Sequence, residues 1–173
     1  MPRIISNFHG CHEFLSNFAP CELHFGTLNY PTTEAAFQAA KTLSFEQQFA
    51  ISLADTPGKA KRLGRRVTLR PDWEEVKDKV MLDILRLKFT KGSEFARMLE
   101  DTGNAILVEG TTWHDQYWGV CKCDEHKGVG VNMLGQILMQ IRDENRGRTP
   151  TEIHHEVRND WLLGGPFTIS ERQ

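Results

Sequence analysis

The chain has 173 residues, 39% of them hydrophobic and 25% charged, with 21 basic and 23 acidic side chains and a formal net charge of −2. This is long and apolar enough for one domain with a real core, and the charge balance excludes a protein that coats nucleic acid by charge alone, though not a local basic patch. The opening MPRIISNFHG has no charged head followed by an apolar run, and no stretch reaches the roughly 18 apolar residues of a membrane helix, so the expected location is cytoplasmic.

In the first 30 residues, Leu23 and Phe25 alternate with polar neighbours and Gly26-Thr27 marks a turn, which predicts short strands. From Pro31 the pattern turns helical. Thr32 or Thr33 caps a helix running to about Thr42, with Glu34 in its favoured first turn. Ser44 and Gln47 form a capping box for a second helix to about Leu53, and Asp55-Thr56-Pro57 starts a third. The longest helix is predicted over about Asp72 to Thr90, with Trp73, Val76, Val80, Ile84 and Leu87 as its apolar stripe. Ser93 opens a further helix that Gly103 ends. AILVE at 105–109 reads as a short buried strand, 110–131 as a long irregular segment, and Asn132 as the cap of a last helix to about Arg146. Beyond Gly147, Trp161, Leu162, Leu163 and Phe167 are candidates to dock on the core, and His154-His155 reads as exposed tail. Many helices with few strands predict a mainly α (α+β) single domain, helices around a small β-sheet, and not alternating βαβ units.

Cys11, Cys21, Cys121 and Cys123 form no secreted-type framework and are read as free thiols in a reducing compartment. His9, His12 and His126 lie near them in sequence, which raises zinc. There is no CxxC pair, so the expectation is no metal.

Four segments carry polar chemistry. In TTEAAFQAAK, Glu34, Phe37 or Gln38, and Lys41 recur at helical spacing, with Glu34 and Lys41 about 10 Å apart along one face. A carboxylate and an amine so placed suit acid/base work and nucleophilic or electrostatic catalysis, and the plain alternative is a solvated charged face. The 110–131 segment holds Trp113, Tyr117 and Trp118 among Asp115, His126 and several glycines. It either closes the core or stacks a ligand, and N–H groups at the Asn132 helix start suit a phosphate. Arg65 and Arg66 are a candidate phosphate grip or surface charge, and Trp73 a core anchor or a base-stacking platform. Asn17, beside Phe18, either bonds a ligand amide or closes a turn. No P-loop, dinucleotide fingerprint, nucleophile elbow or metalloprotease helix is present.

FLSNF at Phe14–Phe18, YPTTEAAFQAAK at Tyr30–Lys41, AKRLGRR at Ala60–Arg66, PDWEEVKDKVMLDILRLKF at Pro71–Phe89, LEDTGNAILVEGTTWHDQYWG and GVNMLGQILMQIR occur in one order. Together they resemble the NADAR, or YbiA-like, family over about Ile5 to Glu144. The resemblance implies a mainly helical fold with a small sheet and hydrolysis of N-glycosidic bonds. The substrates it implies are phosphoribosylaminopyrimidine intermediates of riboflavin synthesis, or ADP-ribose on modified guanine, including guanine in nucleic acid. It implies no cofactor. Glu34 matches the family's essential glutamate, and Lys41 the lysine proposed to contact, or form a Schiff base with, the ribose anomeric carbon. Trp73 and Trp118 match aromatics at the base site; Asp115 and Asn132 match polar positions bordering the pocket. Asn17, Phe18, Phe37, Gln38, Arg65 and Gly119 complete the expected substrate-binding set. Three departures stand out: Ala36 where relatives can carry a ring, two cysteines in VCKCDEHKGVG, and a tail beyond the minimal domain. The expected division is a functional domain over 1–147 and an extension over 148–173. The rival reading is a module that binds ADP-ribose or a nucleotide without cleaving it.

Overall fold

The protein was analysed as a computed structural model that describes residues 3–148. The aromatic and His-His positions of the C-terminal extension therefore lie outside the described residues. Among the described residues two compact units are recognisable, one formed by His9–Met98 and the other by residues 3–8 with 99–148.

The His9–Met98 unit begins with a short 3-10 helix, Gly10–Leu15, whose Phe14 and Leu15 are buried. Strands β2 (Pro20–Phe25) and β3 (Leu28–Thr32) form an antiparallel hairpin, and Gly26 at its turn has φ +63°, a conformation costly for residues with a Cβ. Helix α1 (Thr33–Ala39) follows without a linker, and all seven of its residues are buried. Its alanines let α2 (Phe45–Ser52), α3 (Pro57–Gly64) and α4 (Trp73–Lys88) pack against it. Three starts are capped as the sequence predicts: the hydroxyls of Thr32, Ser44 and Thr56 accept from the N–H groups of Ala35, Gln47 and Lys59. The capping box at Ser44 is only half formed, because Gln47 Oε1 accepts instead from Thr42 and from the Thr68 N–H.

Two expectations in this unit are corrected. Helix α1 stops at Ala39 rather than Thr42; Lys41 and Thr42 close tighter turns onto the carbonyls of Gln38 and Ala39. On α4 the buried residues are Trp73, Met81, Ile84, Leu85 and Lys88, while Leu87 is 44% exposed. The stripe advances by fours from Trp73 through Lys77 to Met81, which brings Lys88 inward in place of Leu87.

The other unit holds β1 (Ile4–Ile5) parallel to β4 (Ile106–Leu107), β5 (Gly110–Thr111) parallel to β6 (Val120–Cys121), and α6 (Met133–Asn145), which packs on β4. Helix α5 (Glu94–Asp101) spans the division between the units in sequence and ends before Gly103, at φ +65°. Among the described residues the strands thus make three separate two-stranded sheets, with a mixed α+β composition. No described helix is long and apolar enough to cross a membrane.

Candidate active site

Glu34 lies in the first turn of α1 and is 6% exposed. Its position is fixed from three sides. Its backbone N–H donates to the Asn17 carbonyl at 3.0 Å, and the hydroxyl of neighbouring Thr33 donates to the same carbonyl and to Asn17 Oδ1. One helical turn on, Gln38 Nε2 donates to Glu34 Oε1 at 2.8 Å. Gln38 in turn is pressed onto Gly64 of α3, where a Cβ would stand 2.7 Å from Gln38 Cβ and closer still to Oε1. That Oε1 is buried against Gly64 with no hydrogen-bond partner, a polar atom left unsatisfied beside the carboxylate.

Lys41 follows the helix. Its carbonyl accepts from the Arg70 N–H at 2.8 Å, and the Arg70 guanidinium grips Asp72 with both arms, Nε–Oδ1 at 2.6 Å and Nη2–Oδ2 at 2.8 Å. This turn delivers Trp73, the first residue of α4, beside Lys41. The ammonium lies 5.8 Å from the Phe37 ring centre and 5.9 Å from that of Trp73, and the two rings touch at 5.1 Å with a 56° tilt. Trp73 is 6% exposed, so of its two readings the structure favours a packed wall over an open stacking face.

The electrostatics follow from burial. Desolvation pushes the Glu34 carboxyl above its ordinary value, opposed by the Gln38 hydrogen bond and by the charges of Lys61, Lys41 and Arg65. Desolvation pulls the Lys41 amine below its ordinary value; Lys61 and Arg65 add to this, while Glu34 and Glu74 oppose it. The two groups are thus brought towards each other's range, as proton transfer between them requires. Arg65 itself is exposed at the end of α3. Phe18 is 42% exposed, with the Lys61 ammonium 5.7 Å from its ring centre. Sequence reasoning missed Lys61, since only the tertiary approach of α3 to α1 gives it a role.

The remaining candidates belong to the other unit. Asp115 Oδ1 accepts from the N–H groups of Tyr117 and Trp118 at 3.0 and 2.9 Å, a turn that sets the edge-to-face contact of those rings at 5.2 Å. Gly119 is buried where a Cβ would meet the Glu109 carbonyl oxygen at 2.5 Å, so its place there is one of close packing. Asn132 needs a correction. It is 0% exposed, has φ +57°, and does not cap α6 with its side chain. Instead Nδ2 donates to the Leu107 carbonyl and Oδ1 accepts from the Glu109 N–H, which straps α6 to the β4 segment. The N–H groups expected to face a phosphate at this helix start are also occupied: those of Asn132, Met133 and Leu134 donate to the carbonyls of Gly119, Tyr117 and Trp118. Half-buried Asn17 is engaged within its own unit: Oδ1 accepts from the Thr33 hydroxyl and Nδ2 donates to Met81 Sδ.

The model of the NADAR domain matches residues 3–146, nearly the whole described chain. The chain belongs to the NADAR family. N-glycosidase YbiA of Escherichia coli K12 is 39% identical over 149 residues, which covers 83% of this chain and 90% of that protein. The chloroplastic riboflavin biosynthesis protein PYRR of Zea mays is 34% identical over 152 residues, 78% of this chain but 24% of the longer maize protein. The NMR structure of E. coli YbiA superimposes with a TM-score of 0.68 at 32% identity, covering 95% of this chain and 91% of that one. This NADAR chain therefore shares both sequence and mixed α+β fold with that protein.

One further cluster escaped the sequence reading of this NADAR domain. His114, Cys121, Cys123 and His126 converge in the 112–131 segment. His114 was not among the candidates, because it lies seven residues before the first cysteine and only the fold returns it.

Proposed function

We propose that this NADAR domain hydrolyses a ribose C1–N bond, with Lys41 engaging C1 and Glu34 carrying protons. The observation that supports this reading above all others is the Glu34–Lys41 couple: a buried carboxyl and a half-buried amine that feel each other's charge, the amine lying against Phe37 and Trp73, with shifts of opposite sign. A module that bound a nucleotide without cleaving it has no use for such a couple, whose burial costs stability. N-glycosidase relatives support the reaction class.

In the proposed cycle, neutral Lys41 Nζ adds to C1 as the C1–N bond to the base breaks, and the base leaves as its N–H form with a proton passed through Glu34. The sugar ring opens to give an imine on Lys41. Water then adds to C1, the C–Nζ bond breaks, and the free sugar and neutral lysine are regenerated. Burial serves both halves: it favours neutral amine at working pH and a carboxyl able to hold a proton. Phe37 and Trp73 wall the reacting carbon, and Arg65 supplies positive charge at the site's edge. The substrate is a small ribosyl or ADP-ribosyl compound, either a phosphoribosylaminopyrimidine or ADP-ribosylated guanine. Residues 1–147 would form the functional unit, in the cytoplasm, where the four free cysteines remain reduced.

Incubation with each substrate and chromatography of the released base tests the reaction. Cyanoborohydride during turnover should leave a reduced sugar adduct on the peptide bearing Lys41. Base release that persists in both Lys41→Ala and Glu34→Ala would refute the assignment. Release without any trapped adduct would leave Lys41 as an electrostatic group and remove the imine.

A further inference from the structure

The 112–131 segment carries side chains that base release does not require. Cys121 ends β6, and an extended chain projects residues two apart to the same side, so the thiol of Cys123 faces the same way while Lys122 points away to the Ser6 carbonyl and Asn7 Oδ1. The chain then turns back sharply: the Lys127 N–H donates to the Cys123 carbonyl, the Gly128 N–H to the Cys121 carbonyl, and Cys121 bridges Val129. This turn needs Lys127 and Gly128 at φ +46° and +86°, and it carries His126 back over the cysteines. From upstream comes His114, at φ +65°, a strained conformation for a residue with a Cβ.

The ligand atoms of these four residues all lie within 4.8 Å of one another. Cys121 Sγ is 3.2 Å from Cys123 Sγ, Cys123 Sγ is 3.2 Å from His126 Nδ1 and 3.7 Å from His114 Nδ1, and the two Nδ1 atoms are 3.3 Å apart. Zn–S bonds of about 2.3 Å and Zn–N bonds of about 2.0–2.1 Å imply tetrahedron edges of roughly 3.3–3.8 Å. Four of the six pairs lie at 3.2–3.7 Å, close to those edges, and all six within 4.8 Å, so a small closure of the side chains would complete the tetrahedron. The sulfurs are far beyond the roughly 2.05 Å of a disulfide.

We propose that His114, Cys121, Cys123 and His126 bind one structural Zn²⁺ ion. On binding, the two thiols release their protons to solvent, and two thiolates cancel the charge of the ion, leaving a neutral centre suited to a half-buried position. Thiolate and imidazole donors select zinc over magnesium or calcium. The Glu125 carboxylate lies 3.9 Å from His126 Nε2, the ring nitrogen that ligation through Nδ1 leaves protonated, where its negative charge favours the imidazole as a donor to the ion. The ion ties the two ends of an otherwise irregular segment, the one whose carbonyls receive the first N–H groups of α6. It takes no part in the Glu34–Lys41 chemistry, so its test reads metal and not turnover.

Full-length protein expressed with zinc and dialysed against metal-free buffer should retain one Zn²⁺ per chain by elemental analysis. Co²⁺ added to the reduced, metal-free protein should give the intense visible bands of a tetrahedral site and a thiolate charge-transfer band. Cys123→Ser and His126→Ala should each lose retained zinc, and chelator should lower the melting temperature of the wild type but not of these variants. Wild-type protein that retains no zinc and gives no tetrahedral Co²⁺ spectrum after reduction would overturn the proposal, as would full retention in Cys121→Ser/Cys123→Ser. The Co²⁺ measurement needs no variant, so a substitution that fails to fold cannot decide the matter.

Discussion

In the helical unit Glu34 is held by what lies beneath it. Alanines bring three helices against α1, and the carboxylate is left buried with a hydrogen bond from Gln38 and nearby cations. In the other unit Asn132 is held by what surrounds it. Its amide has partners on both sides, and the loop carbonyls take up the N–H groups around it. The first arrangement leaves a polar group electrostatically dissatisfied, and the second satisfies one completely. Dissatisfaction after burial marks groups kept for chemistry; complete satisfaction marks groups kept for structure.

Substitution at both positions should separate these roles. Glu34→Gln should lower kcat by about 10²–10⁴-fold, the usual worth of a proton-transfer group. The same change should raise stability. Because burial raises the folded-state pKa of Glu34, its contribution to stability falls as pH rises above the ordinary carboxyl value, so at neutral pH the ionised group is destabilising and its removal favourable. Kinetics and thermal melts on one preparation check both; a Glu34→Gln variant that melts lower would break the contrast. Without the Glu34 charge, Lys41 should also titrate lower, which moves the rise in adduct trapping to lower pH.

Asn132→Ala should do the reverse. It orphans the Leu107 carbonyl and the Glu109 N–H and puts alanine at a left-handed φ, a loss on the order of 3 kcal/mol by denaturant unfolding. Any protein that still folds should keep its kcat. A smaller effect on both properties is expected of Gly64→Ala. The new methyl must displace Gln38, which costs about 1–3 kcal/mol and removes the hydrogen bond to Glu34, so kcat should fall with stability.

The smallest expected effect concerns Lys88, buried in α4 with its ammonium donating to the Ser16 carbonyl at 2.8 Å. Burial pulls its pKa down to about 8 from 10.5. A lysine depressed on folding binds fewer protons than the unfolded chain above its folded pKa, so stability rises with pH from there towards the unfolded value. Wild type should gain about 1–2 kcal/mol between pH 8 and about pH 9.5 relative to Lys88→Met. Parallel unfolding curves for the two proteins across this range would show that the amine is not depressed.

Much of the helical unit could be read from sequence because its signals are local. A hydroxyl three residues before a donor caps a helix wherever the chain goes, and Thr32, Ser44 and Thr56 all do so. Glu34 and Lys41 were visible by spacing, but Lys61 and the burial of Lys88 were not, since each depends on which helix approaches. Leu87 and Leu85 are equally apolar, and only the packing partner chooses between their stripes. The other unit was harder to read. Asn132 carries the side chain of an N-cap, but its left-handed backbone turns it towards β4. His114 meets its cysteines only through a fold-back that no periodicity announces.

The pairing of Ile4 and Ile5 with Ile106 and Leu107 has a consequence for synthesis. Residues 4 and 5 leave the ribosome about a hundred residues ahead of their strand partner. The whole His9–Met98 stretch emerges in between, and it is already a self-contained cluster of local contacts. The nascent chain therefore carries β1 unpaired while helices α1 to α4 assemble behind it. A bulky group placed beside β1 would burden the late pairing with β4 and leave the earlier steps untouched.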